Sequence, residues 1–211
     1  MAELARHLHI DRGVTAIIGS GGKTTLMYAL AQELSQFGSV IVTTTTHIRK
    51  PSHLPVTEWV RDAEGIVCAG SPCENDKLCA PRQSMEELAD LADFVLVEAD
   101  GSAGKPLKAH AAHEPVIPDN AAQVICVVGA SGLNRPISEA VHRPKLFFQR
   151  TNCSVATPQA VASVLKTENL LDRLVINQCE TQESAAKELA EQMSVPVLLT
   201  CLKKGEIRCS Y

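Results

Sequence analysis

The chain has 211 residues, 45% of them hydrophobic and 21% charged, and a formal net charge of −4. That length holds one sizeable domain with a buried core, and the composition excludes an extensively disordered chain. An acidic total without a dense Lys/Arg run, and aromatics at only 3%, argue against a nucleic-acid binder, which needs a basic footprint and stacking platforms.

No apolar run approaches the roughly 20 residues that span a bilayer. The opening "MAELARHLHIDRG" carries charges and histidines where a secretory signal would be apolar. A cytoplasmic protein with no membrane partner is expected. Eight cysteines, at 68, 73, 79, 126, 153, 179, 201 and 209, include no CxxC pair. Reduced thiols are therefore expected, not disulfides or a cysteine-ligated metal.

In chain order, residues 14–18 predict a strand and 23–37 a helix closed by Gly38, followed by a strand over 40–44. Residues 47–84, rich in Pro, Ser and charge, predict an excursion with one short apolar piece at 65–69. A helix over 85–92 leads into the strand "DFVLVEADG", and a second irregular segment, 101–120, precedes the strand "QVICVVGA". Helices over 158–165 and 183–193 alternate with the last strands, "LVINQ" and "VPVLLT". Near-continuous apolar strands separated by helices predict an α/β fold, a mostly parallel sheet with helices on both faces, in one domain over 1–211.

The first strand runs into "GSGGKTTLM". In a phosphate loop, glycines let backbone N–H groups turn onto phosphate oxygens, and the following helix adds its positive end. The lysine reaches the β/γ-phosphates and the next hydroxyl ligates Mg²⁺. Gly19, Ser20, Gly21, Gly22, Lys23, Thr24 and Thr25 supply those parts, although the glycine that opens the full eight-residue pattern is replaced by Ile17. What remains, G-x-x-G-K-T-T, predicts an ATP or GTP site.

A Mg²⁺ site also needs a carboxylate at a neighbouring strand end. "FVLVEADGS" offers Glu98 as a metal ligand, and Asp100, two residues on, as a second metal group or the holder of an attacking water. Lys23, Glu98 and Asp100 are thus the catalytic candidates. In "VTTTTHI", Thr44 or Thr45 is a candidate for the metal shell, and Arg49 for phosphate charge. "LVINQCE" echoes the guanine-reading N-K-x-D motif through Asn177 and Glu180, with Gln and Glu in place of Lys and Asp. A glutamate's two acceptor oxygens suit the N1–H and 2-amino group of guanine.

Together "GSGGKTTLM", "VTTTTHI", "VEADGSAGKPLKAH", "GLNRPISEAVHRPKLF" and "LVINQ" resemble the YqeC family over nearly the whole chain. The resemblance implies a P-loop NTPase fold and an accessory role in the maturation of selenium-dependent molybdenum hydroxylases. A small selenium or molybdenum-cofactor species, or a client hydroxylase, would then be the partner. It also draws Lys105, Lys108, His110 and Glu114 into the site as substrate contacts, because generic phosphate machinery does not need them. Two alternatives stay open: a metabolite kinase or ATP-dependent ligase, and a nucleotide-gated chaperone with negligible hydrolysis.

Overall fold

The computed structural model describes residues 3–211. A short helix α1 (Glu3–His7) precedes strand β1 (Gly13–Gly19), helix α2 (Lys23–Leu34) and strand β2 (Val40–Thr44). Then come β3 (His47–Arg49), β4 (Val56–Thr57), β5 (Ile66–Ala69), β6 (Ser71–Cys73), β7 (Lys77–Cys79), α3 (Met85–Leu91) and β8 (Phe94–Glu98). The remainder holds β9 (Leu107–Lys108), β10 (Ala121–Gly129), α4 (Ile137–Ala140), β11 (Val141–His142), α5 (Pro144–Thr151) and α6 (Pro158–Glu168). Strand β12 (Arg173–Asn177), helix α7 (Glu183–Ala190) and strands β13 (Val197–Cys201) and β14 (Glu206–Ser210) complete the chain.

These elements group into two compact units. One contains the chain up to Ile18, Thr24–Gly101 and Pro115–Val124; the other contains Gly19–Lys23, Ser102–Glu114 and Ile125–Tyr211. Within the first, the strands lie in the order β1-β8-β2-β5-β4, every pair parallel. Within the second, the order is β14-β13-β12-β10, with only β14 antiparallel to its neighbour. The architecture is the α/β one that the sequence predicts, mostly parallel strands flanked by helices, and is compatible with a P-loop NTPase-like fold. Strands β2, β8 and β13 are buried at every position, as expected where both faces of a parallel sheet are covered.

Local chemistry sets the helix boundaries. Ser84 caps α3 by accepting from the Glu87 N–H, while the Glu87 carboxylate accepts from the Ser84 N–H, a complete capping box. Thr157 caps α6, Pro158 fills its first position, and Asn169 ends it in the left-handed conformation. Helices α2, α3 and α7 stop one to three residues short of their predicted ends, α1 and α4 were too short for periodicity to announce, and α5 was not predicted.

The segment 47–84 is more ordered than predicted. Strands β3, β7 and β6 form a separate three-stranded antiparallel sheet, anchored by the buried side chains of Ile48 and Leu78. Among the described residues no helix is long and apolar enough to cross a membrane.

The first unit's core gathers Val14, Ile41, Leu88, Val95 and Val97, with Leu88 fully buried between α3 and the strands. Leu88→Ala should cost about 2–5 kcal/mol through lost burial and a residual cavity. In urea unfolding followed by circular dichroism, the midpoint should fall while the slope stays that of the parent.

Candidate functional site

The turn after β1 is built by close backbone packing within the second unit. Because β1 continues through Gly19 and α2 begins at Lys23, only Ser20, Gly21 and Gly22 connect them. This explains the departure at Ile17: that residue lies inside the strand, fully buried, rather than at the start of a loop.

Gly21 has φ +88°, and a Cβ there would stand 2.4 Å from the Gly129 nitrogen. Gly22 has φ +140°, and a Cβ there would stand 2.4 Å from Asn177 Nδ2. No side chain fits either position. The Ser20 N–H donates to the Val127 carbonyl at 2.8 Å, and the Ser20 hydroxyl donates to the Lys105 carbonyl. Asn177 Nδ2 donates to the Gly21 carbonyl at 2.9 Å. Lys23 is buried, its Nζ donating to the Gly19 carbonyl at 2.8 Å and to Ser102 Oγ at 3.4 Å. Ser102 and Gly129 are loop partners that the sequence did not single out as site residues.

The acidic strand end belongs to the first unit. Thr24 Oγ1 donates to Glu98 Oε2 at 2.7 Å, and Thr44 Oγ1 donates to the Glu98 carbonyl at 2.7 Å. The parallel register sets Glu98 between Ile17 of β1 and Thr44 of β2. Glu98 is buried and Asp100 fully so. Thr25 is half-buried. The Thr45 hydroxyl is turned to the Val116 carbonyl at 2.7 Å, and Arg49 is exposed on β3. Hydroxyl and carboxylate oxygens of this kind are hard donors, suited in type to Mg²⁺. The Tyr28 phenol is pushed up by burial first, and further by Cys68 and Glu98.

In the second unit, the block 105–114 is knitted together by partners distant in sequence. The Lys108 ammonium, 1% exposed, lies 2.9 Å from Glu114, and Arg143 Nε lies 2.7 Å from the same carboxylate. Burial alone would raise the Glu114 pKa, but hydrogen bonds from Arg143 and Lys108 hold it down at about 2. His110 Nδ1 lies 2.7 Å from Glu168, whose other oxygen accepts from the His110 N–H at 2.7 Å. Arg150 pairs with Glu168 and donates to the His110 carbonyl at 2.7 Å. Lys105 Nζ donates to the Glu139 carbonyl at 2.7 Å. Arg143, Arg150 and Glu168 were missed in the sequence, where nothing links positions 29 to 58 residues apart.

At the end of β12, Asn177 is buried and Glu180 exposed. Asn177 Oδ1 accepts from the Leu202 N–H at 3.0 Å and from Thr200 Oγ1 at 3.4 Å, so both ends of its amide are engaged in holding the loop. The Glu180 carboxyl is held below its ordinary range by its own backbone N–H first, then by the Cys201 thiol, with Lys204 and Arg208 adding to it.

A family model described as YqeC protein matches residues 15–145, more than half of the chain. A protein of Escherichia coli (strain K12) described as "Uncharacterized protein YqeC" is 36% identical over an alignment of 172 positions that covers 70% of this chain and 62% of that relative. The chain thus spans less than two thirds of that relative's length.

Glu114→Gln removes a buried carboxylate from two cations and should cost about 3–5 kcal/mol at neutral pH. A native pKa of about 2 against the ordinary 4.5 means that Glu114 contributes stability fully present above about pH 4.5. That contribution is lost as pH falls toward 2. Urea unfolding of parent and variant across this range should show their midpoints converging on acidification.

Proposed function

The chain belongs to the YqeC family, and from that premise we propose that it is a Mg²⁺-dependent nucleoside triphosphate-binding protein and NTPase. Its work would be an accessory step in maturing selenium-dependent molybdenum hydroxylases in the cytoplasm. The observation that carries the nucleotide part is the turn at Ser20–Gly22. Its positions 21 and 22 are glycine-only by packing, it is held by Asn177, and it is followed at once by a lysine on the first turn of a 12-residue helix.

In this proposal the N–H groups of Gly21, Gly22 and Lys23 receive phosphate oxygens, and the α2 N-terminus adds its partial positive charge. The Lys23 ammonium exchanges its carbonyl and hydroxyl acceptors for the β/γ-phosphates. Thr24 and Glu98, already 2.7 Å apart, hold the metal, with Thr44 next to them in the register. When bound, Mg²⁺ neutralises charge that develops on the phosphoryl oxygens. Asp100 orients the water that attacks, its carboxylate accepting a hydrogen bond from that water. Asn177 acts through the loop, which leaves Glu180 as the group that reads the base and makes GTP the preferred ligand over ATP. Lys105, Lys108, His110 and Glu114 belong to the selenium or molybdenum-cofactor species, or to the client that brings it.

Calorimetry of the purified chain against GTP and ATP, each with and without Mg²⁺, tests the proposal most directly. Lys23→Ala should weaken triphosphate binding at least tenfold while circular dichroism is unchanged, because a hydrogen bond to a charged group is worth about 1.5–3 kcal/mol. Parent affinity in a folded Lys23→Ala variant would remove the phosphate-loop assignment.

Glu98→Gln should keep much of the nucleotide affinity and lower Mg²⁺-dependent phosphate release by roughly tenfold or more, since phosphoryl transfer relies on positioning and charge neutralisation. Phosphate release at the parent rate would make Glu98 a structural strand end.

A further inference from the structure

The antiparallel sheet β3-β7-β6 carries a side-chain cluster that the nucleotide proposal does not use. The ligand atoms of His47, Cys73 and Cys79 all lie within 4.8 Å of one another. Strand register explains the meeting. His47 is directly opposite Cys79, and Cys73 is directly opposite Lys77. Lys77 and Cys79 are two apart on β7 and therefore point to the same face, which puts His47, Cys73 and Cys79 on one side of the sheet. The intervening Leu78, opposite both Ile48 and Pro72, points to the other side and is buried. The ligand face is consequently the outer one, with His47 exposed and both cysteines half-buried.

We propose that His47, Cys73 and Cys79 form a binding site for a thiophilic divalent cation, zinc being the ion that the donor set fits best. Two thiolates and one neutral imidazole balance a dication and match its borderline-soft preference. Zinc–sulfur and zinc–nitrogen bonds of about 2.3 and 2.0–2.1 Å put tetrahedral donors roughly 3.5–3.8 Å apart. The present separations, none above 4.8 Å, exceed that by at most about 1 Å, a gap that side-chain rotation closes on a small sheet whose backbone is already in register. Three protein ligands leave the fourth tetrahedral position to water or a small external donor. Among the described residues no further His, Cys, Asp or Glu joins the cluster.

Before metal binds, Cys73 keeps its proton above the ordinary thiol range, first through its hydrogen bond with Cys79. Binding must release the protons of both thiols, so affinity falls as the solution is acidified. The proposal is independent of the phosphate loop and stands or falls without it.

The test uses the full chain, freed of metal with a chelator and kept reduced with a phosphine. Zinc is titrated in competition with a chromophoric chelator, and cobalt(II) serves as a spectroscopic substitute. One equivalent of zinc should bind, and cobalt should show thiolate charge-transfer absorption. Cys73→Ser, Cys79→Ser and His47→Ala should each weaken zinc at least tenfold, and the double cysteine variant should lose the cobalt band. Cys153→Ser, which removes a thiol elsewhere, should bind as the parent does. Circular dichroism confirms that the outward-facing substitutions leave the fold intact. Absence of stoichiometric binding, or parent affinity in the double variant, would each overturn the site.

Discussion

One buried amide holds the glycine turn after β1 in its shape. Asn177 ends β12, donates to the Gly21 carbonyl through Nδ2, and takes the Leu202 N–H on Oδ1. Its nitrogen occupies the space that a Cβ on Gly22 would need. Gly22 thus has no side chain because the amide presses against it, as the Gly129 backbone does against Gly21, and the donors and acceptors of the amide are themselves engaged. An Asp here would face the Gly21 carbonyl with an acceptor, and an apolar residue would leave buried polar groups unmade at about 1–3 kcal/mol each. Gln178, in the left-handed conformation at φ 63°, then turns the chain away from the strand.

Parallel pairing does the comparable work in the first unit. Strands that run the same way end at the same edge, which is where α/β proteins gather polar residues. Glu98 stands level with Ile17 and Thr44, and the first residue of α2 beyond the loop lysine supplies the hydroxyl that meets its carboxylate. Oxygen donors are collected there by topology. On the outer face of β3, β7 and β6, sulfur and imidazole are collected by an antiparallel register. The two donor sets differ in softness as well as in place, so they invite different cations.

Most of the strand framework was legible because its signal is local. Unbroken runs such as "FVLVE" and "VIVTT" announce parallel strands whatever surrounds them, and G-x-x-G-K-T-T announces its turn within seven residues. Pairings across long separations left no such trace. His110 finds Glu168 and Glu114 finds Arg143 through the fold, and periodicity says nothing about either. The soft cluster was hidden for the same reason: His47, Cys73 and Cys79 have no zinc-motif spacing, and only a hairpin between β6 and β7 brings them to one face. Residues 47–79 also looked irregular because strands of two to four residues are too short to show alternation. Ile17 marks the opposite case: the predicted strand over 14–18 already held it, and the structure carries that strand one residue farther, to Gly19.

The charge cluster of Lys108, Glu114 and Arg143 bears on how such a chain can change over generations. A lysine from the same stretch and an arginine from another share one glutamate, and replacing that carboxylate leaves two cations facing each other, the lysine in a poorly solvated place. Substitutions at contacting charges do not add, so an exchange harmful alone becomes tolerable only alongside its counterpart. The stretch ending at Glu114 and the one beginning at His142 are coupled in this way, so what one tolerates depends on what the other carries.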